Sequence, residues 1–228
     1  MALAGVVTTL GAGVVFGLAL AAPPGPMNAI IAEESVLRGW WAGVRAGLGA
    51  MAADLCFLGL SLAGAVAALQ GLPRLRAAMV VVGGVLMWYF AVDAAHGARR
   101  TLAPDANPAA SGSGFRKAFV LALTNPYQIL FWLTVGVGLL APGRIDVLAR
   151  TPYVGAALGG LLVVNTGTPA LLIGLFGGIS IWVGGFPATL VAARERVDRL
   201  APAVAAVSAL VLGGFGTLFL LDGLASLV

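Results

Sequence analysis

Asp54 offers this chain the most chemistry, because it is a carboxylic acid placed deep inside a long apolar stretch. It lies nine residues past Arg45, which at ~1.5 Å per helical residue puts it roughly 13 Å in, near the middle of a bilayer-spanning segment. A charged aspartate at that depth costs about 2.5–3.5 kcal/mol on insertion scales, and residues bearing that cost usually serve function. The function such a group suits is taking up and releasing a proton as its surroundings change. The structural alternative is a permanently protonated acid hydrogen-bonded to a neighbouring helix.

A second set of groups sits beside prolines. The chain reads Pro23-Pro24-Gly25-Pro26-Met27-Asn28 early on, and Thr124-Asn125-Pro126-Tyr127-Gln128 near its middle. Proline removes a backbone N–H and clashes with the preceding turn, so each run must interrupt a helix. Lipid offers nothing to bond the freed groups, and irregular backbone is tolerated at membrane depth only where protein buries it or where it lines a watery cavity. Asn28, Asn125, Gln128 and Asn165 lie in or beside interrupted stretches, the last within Asn165-Thr166-Gly167-Thr168-Pro169. Their uncharged donors and acceptors suit a polar or zwitterionic solute, and a helix restarting after Pro26 or Pro126 would turn its positive end towards a carboxylate. The alternative is that these amides merely patch the backbone groups that proline frees. Both can hold at once.

Other polar groups carry less. Glu33 and Glu34 close the first apolar run and could accept a proton or attract a cation, or could simply pair with Arg38 or Arg45 at the water interface. Asp93, His96, Arg99 and Arg100 form an interfacial cluster, and Asp222 reads the same way. His96 has no second histidine with which to share a metal, and no metal or cofactor is expected. Cys56 is the only cysteine, so no internal disulfide or paired-thiol redox centre exists. No serine–histidine, paired-aspartate or HExxH arrangement falls within an apolar run, which argues against an enzyme.

The elements that must position these groups are membrane spans. Hydrophobic residues make up 60% of the 228, charged residues 10%, and the mean hydropathy is +1.02. A soluble domain holds about 25% charged residues, so this chain has no surface to offer water. Its net charge of +4 comes from cations scattered among loops, which excludes a nucleic-acid footprint. Runs long enough to cross a bilayer fall near 4–32, 43–69, 76–96, 117–141, 153–180 and 201–225. Ala19-Leu20-Ala21 resembles a signal-cleavage site, but no lysine or arginine precedes it, and a retained first helix is expected. Gly39-Trp40-Trp41, Gln70-Gly71-Leu72-Pro73 and Ala141-Pro142-Gly143-Arg144 read as turns. Small-xxx-small spacing, as in Gly43 and Gly47, predicts close helix packing.

The proline-, glycine- and serine-rich stretch 104–114 reads as a flexible linker between halves 1–103 and 115–228 of a single transmembrane domain spanning 1–228. One side of the membrane would hold Arg38, Arg45, Arg99, Arg100, Arg116, Lys117, Arg194, Arg196 and Arg199, the other only Arg74, Arg76, Arg144 and Arg150. That bias puts the first, third and fifth loops and the linker in the cytoplasm, with both termini outside. Three spans per half force the second half to enter the membrane from the opposite face. The expected fold is therefore all-α: a polytopic membrane protein of six transmembrane helices, in a 3+3 inverted repeat with its first and fourth helices broken. Paired broken helices are the sequence pointer to a transporter's binding site.

The stretch from Ala22 to Asp54, with Pro23-Pro24-Gly25-Pro26, Gly39, Gly43, Gly47 and Asp54, resembles the start of LysE-type amino-acid exporters. Phe115-Arg116-Lys117-Ala118-Phe119, leading to Leu123-Thr124-Asn125-Pro126 and Leu130-Phe131-Trp132, is similar to that family's fourth span. The resemblance implies a prokaryotic cell-membrane exporter of amino acids or related small metabolites, coupled to a proton or cation gradient. By position, it implicates Pro23, Gly25, Pro26, Asp54, Asn125 and Pro126. The chain departs from the family's pattern at Asn165, where an aspartate is common, and at Glu33-Glu34. The loss of the fifth-span aspartate puts a coupling scheme based on two carboxylates in doubt. Two other classes stay open: a divalent-cation transporter, favoured if Asp54, Glu33 and Glu34 converge, and a non-transporting membrane scaffold. The expected partners are a small-molecule substrate and the lipid bilayer, and homo-oligomers are left open.

Overall fold

The computed structural model describes residues 2–64, 72–101, 113–146, 163–194, 196 and 200–226. The chain is mostly helical. In order come α1 (Ala2–Ala21), α2 (Pro26–Arg38), α3 (Trp40–Leu62), α4 (Pro73–Thr101), α5 (Gly114–Leu123), α6 (Pro126–Phe131), a π-helical turn (Trp132–Gly136) and α7 (Val137–Leu140). Two short strands follow, β1 (Gly143–Asp146) and β2 (Val163–Thr166), then α8 (Pro169–Arg194) and α9 (Leu200–Ala225). Among the described residues α3, α4, α8 and α9 are long and apolar enough to cross a membrane, and α1 with α2 makes a fifth span if the interrupted pair is taken as one. The chain is thus a multi-pass membrane protein.

Both predicted breaks are present. The first expected span stops at Ala21 and restarts at Pro26, with proline in the first helical position, where its missing N–H has no partner to lose. The fourth arrives in pieces: α5 ends before Thr124, Pro126 opens α6, and the π turn follows. No piece alone reaches the length of a span. Gly39, at φ 90°, separates α2 from α3 with a conformation that favours glycine, as the predicted turn there requires.

The fifth span differs from expectation. It was placed at 153–180, but the described helix runs Pro169–Arg194, and Val163–Thr166 is a strand, so Asn165 sits in β2 rather than in a helix. Thr168-Pro169 supplies the start, and the continuous apolar run beyond 180 gave hydropathy no edge at which to stop. Arg194, expected in a loop, ends this helix. β1 pairs antiparallel with β2, setting Arg144 opposite Asn165, so the turn expected at 141–144 passes directly into a strand. Gln70, Gly71, Arg150, Arg199 and nearly all of the 104–114 linker lie outside the described residues.

The described residues group into two compact units, each drawing on both halves of the chain. The smaller comprises 1–22 and 134–182. Here Gly13 and Gly17 of α1 meet Gly174 and Gly178 of α8, glycines four apart on each helix, so close that a Cβ on any of them would overlap backbone of the other helix. This is reciprocal small-xxx-small packing.

The larger unit comprises 23–133 and 183–228. Its core brings together Ile30 and Ile31 of α2, Ala46 of α3, Met87 and Phe90 of α4, Leu121 of α5, and Leu212 and Phe219 of α9. Gly43 and Gly47 of α3 pack on Pro187 and Val183 of α8, as their spacing predicts. Pro187 lies within α8. A proline there removes the hydrogen bond to the Val183 carbonyl one turn back; the Trp40 indole N–H donates to the adjacent Gly184 carbonyl at 2.9 Å. On α4, Val82, Val85, Tyr89 and Val92 are all exposed. They recur at helical spacing and make the stripe a lipid-facing helix presents.

Candidate functional site

Asp54 stands fourteen residues into the 23-residue α3, roughly 21 Å along a helix of about 34 Å. Only 6% of it is exposed. Its Oδ1 accepts two hydrogen bonds, from Gln128 Nε2 at 2.7 Å and from Trp132 Nε1 at 2.8 Å. Gln128 and Trp132 are four residues apart and so lie on one face, one turn apart, where both reach the same acceptor. α6 carries Gln128, and Trp132 opens the π turn that follows. π turns inside helices are frequently found at functional sites. Among the described residues Asp54 forms no ion pair. The arrangement can hold a carboxylate by two polarised N–H donors, or can let that carboxylate take a proton.

Trp132 is completely buried and is the member of this candidate site that the sequence reading does not assign. Its spacing of four from Gln128 was the available signal. Nothing in an apolar pattern shows that an indole N–H will face an acid.

The amides beside the breaks have backbone duties. Asn28 Nδ2 donates to the Pro23 carbonyl at 2.8 Å, one of the groups freed by the interruption. Asn125 Oδ1 accepts from the Tyr127 amide at 3.1 Å and caps α6, where Pro126 occupies the first helical position. Asn165 points both its backbone N–H and its Nδ2 at Thr9 Oγ1, at 3.2 and 3.4 Å, and its carbonyl accepts from Thr168. Gln128 turns to a side-chain acid. Gly25 caps α2 with extended backbone that any residue could adopt, and an added Cβ there would meet nothing within 4 Å. Packing therefore gives no reason for glycine at that position.

Glu33 and Glu34 are both buried, in surroundings distinct from those of Asp54. Glu34 pairs with Arg38 one turn on, and its side chain rests against Gly114 at the start of α5. The charges around Glu33 are Lys117, Glu34, Asp93 and Arg38, with Lys117 itself paired to Asp93. The three acids Asp54, Glu33 and Glu34 do not come together. Among the described residues no group of three or more His, Cys, Asp or Glu is placed to hold a metal ion.

Apolar helices in number, two proline interruptions and a buried acid bonded beyond one of them define a polytopic membrane protein with a polar site inside its apolar helices. Residues 18–165 match the sequence profile of the LysE type translocators, and the chain belongs to that family. Over 137 residues it is 33% identical to an uncharacterized membrane protein of Pseudomonas aeruginosa, the match covering 58% of this chain and 62% of that one. It is also 30% identical over 135 residues to a Bacillus subtilis protein named as a candidate amino acid efflux protein, covering 56% and 62% of the two. The chain thus spans less than two thirds of either relative. No solved structure matches it.

Proposed function

We propose that the protein is a secondary exporter of amino acids or related small metabolites, driven by proton or cation movement across a prokaryotic cell membrane. The observation that carries this reading is the bond from Gln128 and Trp132, beyond one proline break, to the buried Asp54 of another helix. In the proposed cycle a small zwitterion binds near the two breaks. Its carboxylate faces the helix ends that begin at Pro26 and Pro126, and it competes for Asn28, Asn125 and Gln128. Asp54 alternates between protonated and ionised as the site opens to each side, because binding and releasing Gln128 changes the donors it has. Glu33, buried among two acids and two bases, is the second candidate proton carrier.

A six-span inverted repeat accounts for one further regularity. Counting three spans from each end of the linker, α3 is the second span of its half and packs against α5, with Gly49 on the Phe115 backbone. α8, the second span of the other half, packs against α1 through the glycines described above. In each case the first helix of one half partners the second helix of the other, with a polar link at each: Asp54 to Gln128, Asn165 to Thr9. Exchange of that kind is what a repeat duplicated in opposite orientation would produce.

The test is uptake of a labelled amino-acid panel by inverted vesicles, with and without an imposed proton gradient. Gradient-dependent accumulation is expected, and Asp54→Asn should abolish its response to pH while the protein still folds and inserts. Unchanged transport and pH response in Asp54→Asn would overturn the assignment of Asp54.

A further inference from the structure

A cavity of about 450 Å³ lies between α4 and α5, at the end of both helices nearest the 104–114 linker. It has two faces of different chemistry. Leu86, Tyr89, Phe90 and Val120 form an apolar wall. Asp93, Ser113, Arg116 and Lys117 form a polar rim. Lys117 is committed to Asp93 and lies 5.7 Å from the Phe90 ring centre. Arg116 is exposed, and among the described residues it forms no ion pair. Among the described residues the charges lining the cavity, one acid against two bases, sum to +1.

The direction in which the cavity opens decides what could fill it. Tyr89 lines it and is 67% exposed, on the same exposed stripe as Val82, Val85 and Val92, the pattern of a lipid-facing helix. A ligand arriving through that side is a membrane component. It would lay hydrocarbon along Leu86 and Val120 while its head reaches Arg116 and the Ser113 hydroxyl. Arginine presents a planar fork of donors suited to phosphate oxygens, and basic pockets between helices at the membrane interface hold anionic head groups.

We infer that this cavity binds the head group of an anionic phospholipid carrying a single net negative charge, with Arg116 as its principal phosphate contact. The charges match, +1 lining the cavity against −1 on the head group. Arg116 is not among the proposed transport residues, and the rim residues Asp93 and Lys117, which also neighbour Glu33, stay unchanged in the test, so this inference can fail without touching that reading.

The experiment titrates the purified full-length protein, in neutral detergent, with short-chain phosphatidylglycerol, phosphatidylcholine or inorganic phosphate. Thermal midpoint and retained lipid by native mass spectrometry are followed. Phosphatidylglycerol is expected to be retained at one per chain, with at least ten-fold preference over phosphatidylcholine. Arg116→Ala should remove that preference and Arg116→Lys should keep most of it. Equal retention of the two lipids would overturn the site, as would a preference untouched by Arg116→Ala. Stabilisation by inorganic phosphate equal to that by lipid would overturn it in favour of a free-anion site. Should Arg116→Ala fail to fold, Ser113→Ala in the same titration provides the second variant, and an unreduced preference there counts against the inference.

Discussion

Replacing Trp132 by phenylalanine removes one of the two donors on Asp54 Oδ1 and, with it, part of a buried ring. The lost ring leaves space that costs stability whatever its partner, so the bond must be isolated by a double-mutant cycle with Asp54→Leu. The leucine has no acceptor, and the packing cost cancels between the arms. What remains depends on protonation. Hydrogen bonds between neutral groups of membrane helices average about 0.6 kcal/mol and reach about 1.7 at most, whereas a bond to an ionised group contributes roughly 1.5–3 kcal/mol. At 2.8 Å to an acid only 6% exposed, the Trp132 bond has ordinary hydrogen-bond geometry, and protonation decides which range applies. The cycle, run as reversible unfolding in mixed detergent across a pH series, is expected to give a coupling near 0.6 kcal/mol at acid pH. It should exceed about 1.7 kcal/mol once the acid ionises. A coupling indistinguishable from zero at every pH would refute the contact. A finite coupling that does not change with pH would refute proton exchange at Asp54.

Two further substitutions separate packing from transport. Gly25→Ala should leave the unfolding midpoint unchanged, because its Cβ meets nothing within 4 Å, yet should lower export, because the helix end at Pro26 would be partly covered; full activity in vesicle uptake would remove Gly25 from the binding site. Gly174→Ala should cost about 1–3 kcal/mol through overpacking, since its Cβ would overlap the α1 backbone around Gly13. Gly214→Ala on the open face of α9 should be neutral or gain roughly 0.5–1 kcal/mol from helix propensity, and equal effects at the two glycines in detergent unfolding would refute the packing of α1 on α8.

Prolines made the breaks legible. A residue without an N–H cannot continue a helix in lipid unnoticed, so Pro23–Pro26 and Pro126 marked where α2 and α6 begin. Asp54 was legible through the cost of a charge at depth. Its partners were only half so: Gln128 stood out as polar, but Trp132 belongs to a residue type that hydropathy reads as apolar. The fifth span was misplaced for the opposite reason. From 153 to 193 the chain is nearly all apolar or small, and a uniform stretch carries no phase or boundary for hydropathy to find. The helix start was written instead in Gly167-Thr168-Pro169, with Gly167 at φ 69°. Pro187, which in water would argue for a helix end, stands inside α8, as a membrane allows where neighbouring helices re-satisfy the backbone that a proline frees.

The amides beside the breaks constrain how a substrate could be recognised. Asn28 and Asn125 each bond backbone at an interruption, and leaving such groups unpaired in a membrane costs several kcal/mol apiece. A substrate that drew either amide away would have to replace the bond it broke, so these residues can bind only by exchange. Gln128 is differently placed. Its backbone lies within α6, and its side chain is held by a carboxylate that can relax to the Trp132 donor alone if Gln128 leaves. Movement of Gln128 therefore exposes no bare backbone, and it changes the number of donors on Asp54 from two to one. A solute that captures Gln128 would thus alter the donors on Asp54, which links the solute to the acid through one side chain and needs no second carboxylate where Asn165 stands.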